Sequence, residues 1–145
     1  MELVVFSGIQ CSGKSSFFEQ YFSKSHARIN LDSIKSRTKE MVNFISLMEE
    51  GYSIVIDNTN PARPDRERYI VPATRSGYRI VGYQFEIPIS TALARSAARK
   101  TQKTVPVQDI YLTARKMQPL LKTEGFNEIY QVTTDESMSF IIRPI

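Results

Sequence analysis

The stretch Leu3-Val4-Val5-Phe6-Ser7-Gly8-Ile9-Gln10-Cys11-Ser12-Gly13-Lys14-Ser15 decides how this chain is read. Leu3 to Phe6 are continuously apolar, as expected of a strand buried on both faces of a parallel sheet. Gly-x-x-x-x-Gly-Lys-Ser follows, and then a helical pattern. Gly8 and Gly13 let the backbone fold round an anion without Cβ interference. The amides from Cys11 to Ser15 can then point at phosphate oxygens, and the positive end of the next helix adds to the field. Lys14 can reach the outer phosphates of a bound polyphosphate, and the Ser15 hydroxyl suits a Mg²⁺ site. Phe17, Phe18, Tyr21 and Phe22 recur at i, i+1, i+4 and i+5, which is one apolar helix face. A glycine turn with an ordinary lysine matches the bare pattern by chance; the strand-loop-helix context argues against that. The cradle assigned here is Gly8, Gln10, Cys11, Ser12, Gly13, Lys14, Ser15 and Ser16.

Outward from that stretch, 145 residues fit one domain with an adequate core. Apolar content of 41% and charged content of 23% are those of a water-soluble globular chain. No apolar run approaches the ~20 residues of a membrane span, and the first residues carry no signal-type pattern. The one cysteine, Cys11, cannot close an internal disulfide, so a cytoplasmic setting is the default expectation. Cys11 reads as a small residue that fits the loop. The single His26 reads as surface. A net charge of +4 permits an anionic substrate without demanding nucleic acid.

Along the chain, residues 27–31 form a short strand candidate. Asp32 then opens a helix on which Ile34, Thr38, Met41, Ile45 and Met48 share a face, with Gly51 as its stop. Ile54-Val55-Ile56 is a second buried-strand run, closed by Asp57 and the turn Asn58-Thr59-Asn60-Pro61. A helix over 65–77 contains Pro72, which predicts a kink or a late start. A strand over 79–85 precedes a helix capped by Ser90 or Thr91 and running to Lys100. Residues 101–106 are a basic, breaker-containing connection. A last long helix carries Val107, Ile110, Tyr111, Ala114, Met117 and Leu121, and strands over 127–132 and 139–142 flank a polar turn. Strands alternating with helices predict a central, mainly parallel sheet with helices on both faces.

In such sheets ligands bind at the carboxyl ends of the strands. The glycine loop, the start of the Asp32 helix and the segment from Asp57 to Asn60 should therefore meet. Asp57 ends a strand as a Mg²⁺-linked acid does, although a surface turn aspartate looks the same. Asp32 stands where an ordinary N-cap stands. Its place after the second strand also sets a carboxylate near the terminal phosphate, where it can take a proton from an acceptor hydroxyl. The two roles are compatible. Arg95 and Arg99, four apart and followed by Lys100 and Lys103, form either a solvated basic face or a lid over about 95–106 whose arginines stabilise the moving phosphoryl group. Lys35, one turn after Asp32, can pair with it or bind acceptor phosphate. Arg63, Arg66 and Arg68 are expected to face solvent, with contact to an acceptor phosphate as the alternative. The guanine signature, the protein-kinase motif set, a Cys/His zinc cluster and interleaved stacking aromatics are all missing from the sequence.

The loop over residues 8–15, Asn30-Leu31-Asp32, Ile56-Asp57-Asn58-Thr59-Asn60-Pro61, the Arg95/Arg99 pair and Val105-Pro106 occur in the order seen in polynucleotide 5′-hydroxyl kinases. The chain resembles that family over residues 2–132. The resemblance implies a P-loop NTPase/kinase-like α/β three-layer sandwich with a small lid. It implies ATP- and Mg²⁺-dependent phosphoryl transfer to the 5′-hydroxyl of a nucleic-acid end. Asp32 matches the family's general base, Lys14 and Ser15 the phosphate and metal residues, and Arg99 the lid arginine, with Arg95 beside it. Lys35, Asp57, Asn58 and Asn60 are assigned to the acceptor, and Ser15 with Asp57 to the metal. Lys35 stands where the phage member of the family has an arginine, and Asp57 lies one place earlier than the acid of that phage pattern. A kinase of a small hydroxylated metabolite or nucleoside, and a nucleotide-binding module with little turnover, remain as alternative readings.

Overall fold

The computed structural model describes residues 1–100 and 104–145. At its centre lies β1 (Glu2–Ser7), in which Leu3, Val4, Val5 and Phe6 are wholly buried. Such a strand needs apolar neighbours on both faces and both edges. It has β3 (Ile54–Ile56) on one edge and β4 (Arg79–Phe85) on the other, both parallel, with Val5 opposite Ile56 and Gly82. The six-stranded order is β2-β3-β1-β4-β5-β6, where β2 is Ala27–Ile29, β5 is Glu128–Thr134 and β6 is Phe140–Pro144. Only β6 runs antiparallel, because its short turn from β5 leaves no length for a crossover.

Alternate side chains serve opposite faces. Leu3, Val5, Ile54, Ile56 and Ile80 pack with Phe44 of α3 (Arg37–Glu49) and with Tyr69, Ile70 and Ala73 of α4 (Arg63–Arg75). Val4, Phe6, Val55 and Val81 pack with Phe17 and Phe18 of α1 (Lys14–Tyr21). Phe17 sits edge-on to Phe85 and Phe140, with ring centroids 5.2 and 5.0 Å away. This aromatic cluster fixes the helix that carries Lys14 and Ser15. Tyr21, expected in that face, is only half covered. A third apolar cluster joins Ile9 of the loop to Ala92 of α5 (Ile89–Ala97) and Ile110 of α6 (Val107–Lys116). The α5–α6 pair thereby packs onto the glycine loop.

Several expected elements are broken where short polar side chains capture backbone amides. The helix expected to start at Asp32 is two helices, α2 (Leu31–Ile34) and α3. Asn30 caps the first through Ser33 N at 3.1 Å, Ser36 caps the second through Lys39 N at 3.3 Å, and Lys35 between them has φ 61°. Asp32 is thus in the first turn of α2 and is not the cap. Helix α4 starts two residues early, with Pro64 in its first turn, and runs through Pro72. Helix α5 follows Pro88 rather than Ser90 or Thr91 and ends at Ala97, so Arg99 lies beyond it. Helix α6 ends at Lys116, two residues before Pro119 disfavours helix at Gln118. Thr101, Gln102 and Lys103 of the expected lid lie outside the described residues. His26 is tucked against Phe22, with Glu2 2.7 Å from its Nε2, rather than open to solvent.

Arg66, expected at the surface, is completely buried. Its guanidinium donates to the carbonyls of Asn60, Pro61 and Gln118 and pairs with buried Glu124 at 2.8 Å. A charge so enclosed is tolerated only because every donor direction finds an acceptor. Arg66→Ala strands the Glu124 carboxylate; it should lower stability to chemical unfolding by about 3–5 kcal/mol.

Candidate active site

The loop after β1 owes its path to both glycines and to three backbone anchors. A Cβ on Gly8 would lie 2.7 Å from the Phe85 Cβ, and Gly13 has φ 98°. Gly8 N donates to Thr59 O at 2.9 Å, Ser7 Oγ to Asn60 O at 2.9 Å, and Asn60 Nδ2 to Phe6 O at 2.8 Å. The turn after β3 is therefore stitched to the end of β1. Cys11 takes a left-handed conformation with φ 63°, and its carbonyl accepts from Arg95 at 3.0 Å.

A cleft of about 310 Å³ opens beside this loop. Residues 10–16 line it, together with Asn30, Asp32, Asp57, Asn58, Thr59, Arg95, Arg99 and Met138. Lys14 turns its ammonium onto Gly8 O, Ile9 O and Ser12 Oγ at 2.9, 2.7 and 3.2 Å. Burial lowers its pKa from 10.5 to about 8, against the pull of Asp57, Cys11 and Asp32. Three neutral acceptors stabilise this cation poorly. An anion in the cleft would replace them with stronger charge-assisted bonds.

Ser15 Oγ and Asp57 Oδ2 stand 3.2 Å apart on the same wall. Two neighbouring ligands of an octahedral Mg²⁺ at 2.0–2.1 Å are about 3.0 Å apart, so the pair fits such an ion. Among the described residues, His, Cys, Asp and Glu form no cluster of three or more able to hold a metal. A cation here would therefore depend on phosphate and water for its remaining ligands, as Mg²⁺ commonly does.

Asp32 also lines a second, smaller cavity of about 180 Å³, with Gln10, Arg37, Asn58, Thr59, Asn60 and Asp65. Asp32, Gln10, Asn58 and Thr59 are shared by the two spaces. Asn58 positions the Asp32 helix: its Oδ1 accepts from Leu31 N at 2.8 Å. Its Nδ2 donates to Glu40 Oε2 at 2.9 Å. Wholly buried Glu40 also accepts from Tyr69 at 2.6 Å and from Arg37 at 3.0 Å. Burial and the Glu40 carboxylate push the Tyr69 pKa well above its usual value, which keeps the phenol a donor.

The remaining expected site residues are distributed unevenly. Arg95 and Arg99 both reach the cleft, Arg99 from the segment after α5. Arg95 also braces Thr134 of β5 at 2.9 Å. Gln10 ties the loop to α6 through Thr113 at 2.9 Å. Lys35, assigned to the acceptor, is exposed and lines neither cavity, because the break at that residue removes it from a helix face shared with Asp32. Asp57, also assigned to the acceptor, lines the first cavity and not the second. The Asn60 side-chain amide is spent on Phe6 O, which makes it a brace of the loop. Arg28, Arg37, Glu40 and Tyr69 were not singled out from the sequence as contributors to the site, and Arg66 was expected at the surface. Their signals were a charged residue on a short strand and polar residues within apolar helix patterns, which many surfaces share.

The sheet order, the loop and α1 together define a P-loop kinase-like fold. Kti12 from Chaetomium thermophilum, solved with ADP-AlF3, superposes with a TM-score of 0.68 at 11% identity, covering 94% of this chain and 92% of that one. A gluconokinase from Sinorhizobium meliloti superposes with a TM-score of 0.62 at 16% identity, covering 91% and 82%. No family model matches the sequence. In sequence the chain is similar to the bifunctional polynucleotide phosphatase/kinase of Schizosaccharomyces pombe, 28% identical over 136 residues. That match covers 93% of this chain, which spans about a third (31%) of the length of the curated relative. The family resemblance read from the motifs therefore has a curated counterpart. No helix among the described residues is long and apolar enough to cross a membrane.

Tyr69→Phe removes one of the bonds to the buried Glu40 carboxylate. It should cost about 1.5–3 kcal/mol in urea unfolding, the range for hydrogen bonds to charged groups.

Proposed function

We propose that this chain is an ATP- and Mg²⁺-dependent kinase that phosphorylates the 5′-hydroxyl end of a polynucleotide. The observation that carries this reading is the place of Asp32: one carboxylate borders both the cleft of the glycine loop and the second cavity. A hydroxyl held beside Asp32 would give up its proton to that carboxylate as its oxygen attacks the terminal phosphorus opposite the leaving oxygen, as in-line transfer requires. The polynucleotide acceptor is supported by the similarity to the S. pombe relative, whose name describes such an activity.

In this reading the loop amides and Lys14 hold the outer phosphates of ATP, and Ser15 with Asp57 holds Mg²⁺. The ion supplies charge neutralisation to the β- and γ-phosphate oxygens when bound. Asp32 accepts the proton of the attacking hydroxyl. Arg95 and Arg99 belong to a lid and face the oxygens of the moving phosphoryl group, where charge spreads in the transition state. Arg37 is the cation among the residues lining the second cavity, and it takes the acceptor-phosphate role that the sequence assigned to Lys35.

Asp32→Ala should lower turnover by about 10²–10⁴-fold with ATP affinity retained. A full kinase rate in that variant would refute the base assignment. Labelled ATP offered with a 5′-hydroxyl oligonucleotide, nucleosides and sugars should mark the oligonucleotide, with binding that weakens as salt rises. Transfer to a sugar or nucleoside alone would establish the small-molecule reading, and tight ATP binding with no transfer would leave a nucleotide-holding module.

The lowered Lys14 pKa gives a second expectation. The ligand-free protein loses the Lys14 proton near pH 8, whereas phosphate contact favours the charged form. ATP affinity measured by titration calorimetry should therefore fall above pH 8, approaching about tenfold per unit. In Lys14→Met the affinity should be weak and nearly flat over the same range.

A further inference from the structure

The guanidinium of Arg28 stands on the same two oxygens that fit a divalent cation. Its Nε lies 2.8 Å from Asp57 Oδ2, and one terminal nitrogen lies 2.7 Å from that oxygen and 2.9 Å from Ser15 Oγ. The arginine reaches across from the edge strand β2, and its guanidinium carbon rests 5.7 Å from the centre of the Phe18 ring. Asp57 is almost wholly buried, while about a third of the Arg28 side chain is exposed. The carboxylate is fixed, and the arginine has a route to solvent.

We propose that Arg28 regulates cation entry: its guanidinium and a divalent cation compete for Ser15 Oγ and Asp57 Oδ2. The proposal rests on the assignment of those two residues to the metal. The terminal nitrogen of Arg28 closes a triangle with the two oxygens. A cation approaching from that side meets the guanidinium directly. From any other side it binds within a few ångströms of that positive charge. A bare divalent ion must therefore displace or tolerate the arginine. An ion that arrives on a polyphosphate brings several negative charges with it, which offset the repulsion and offer the displaced guanidinium a new partner. Arg28 thus makes cation binding conditional on the nucleotide, and it keeps Ser15 and Asp57 assembled as a pair.

The test is Mn²⁺ binding followed by the free-ion electron paramagnetic resonance signal, without turnover. The variants are Arg28→Ala, Arg28→Gln and Arg28→Lys, each checked for folding by circular dichroism. In the absence of nucleotide, Arg28→Ala and Arg28→Gln should bind Mn²⁺ at least about tenfold more tightly than the parent, from removal of one adjacent positive charge. Arg28→Lys keeps the charge and should stay close to the parent. With ADP present, the parent and the neutral variants should converge. Adding Asp57→Asn to Arg28→Ala should abolish the gain, which locates the ion. Unchanged or weaker Mn²⁺ binding in both neutral variants would overturn the proposal. If Asp57→Asn in the parent leaves ADP-dependent Mn²⁺ binding unaltered, the metal assignment itself fails, and this inference fails with it.

Discussion

The buried central strand β1 is the constraint from which the rest follows. Its apolar side chains need cover on both faces, and its backbone needs partners on both edges. Parallel β3 and β4 supply the edges, and α1, α3 and α4 supply the faces. The strand then ends in Ser7 and Gly8 at the carboxyl edge of the sheet, where the chain can turn only through small residues. Phe85 sits where a Gly8 side chain would go. The phosphate-type loop is thus a direct consequence of how tightly the first strand is packed.

A second layer of order comes from buried polar groups, which cost free energy unless satisfied. Glu40 gathers Tyr69, Arg37 and Asn58, and Asn58 holds the amide that begins the Asp32 helix. Arg66 gathers the carbonyls of the turn after β3 and of the segment after α6. Of these groups Asn58 borders the glycine-loop cleft, while Glu40, Tyr69, Arg37 and Arg66 stand behind it. Together they fix the walls of the site, and each is intolerant of losing one partner because the others would be left buried and unpaired.

The electrostatics of the cleft are balanced rather than simply positive. Lys14 is desolvated and held by neutral acceptors, and Arg28 neutralises Asp57. Arg95 spends two of its donors bracing the loop and β5. Binding a polyphosphate would therefore be an exchange of partners among charges already in position.

Much of this was legible in the linear chain. The apolar run, the two glycines and the lysine-serine pair identified β1, the loop and α1, because strand burial and phosphate geometry impose local spacing. The strand at residues 79–85 and the runs at Ile54 and Glu128 were legible for the same reason. The helix boundaries were less so: Asn30 and Ser36 captured amides that periodicity alone would have kept in one helix, and Pro88 set the start of α5. The sequence by itself determined the fold class and the segments that meet at the carboxyl edge, since those depend on local pattern. Only the tertiary structure decided that Arg66 is buried, that Arg37 and not Lys35 borders the second cavity, and that Arg28 lies on Asp57. Those outcomes depend on where separate elements pack, and a charged side chain carries no mark in sequence of whether its partner will be water or a buried carboxylate.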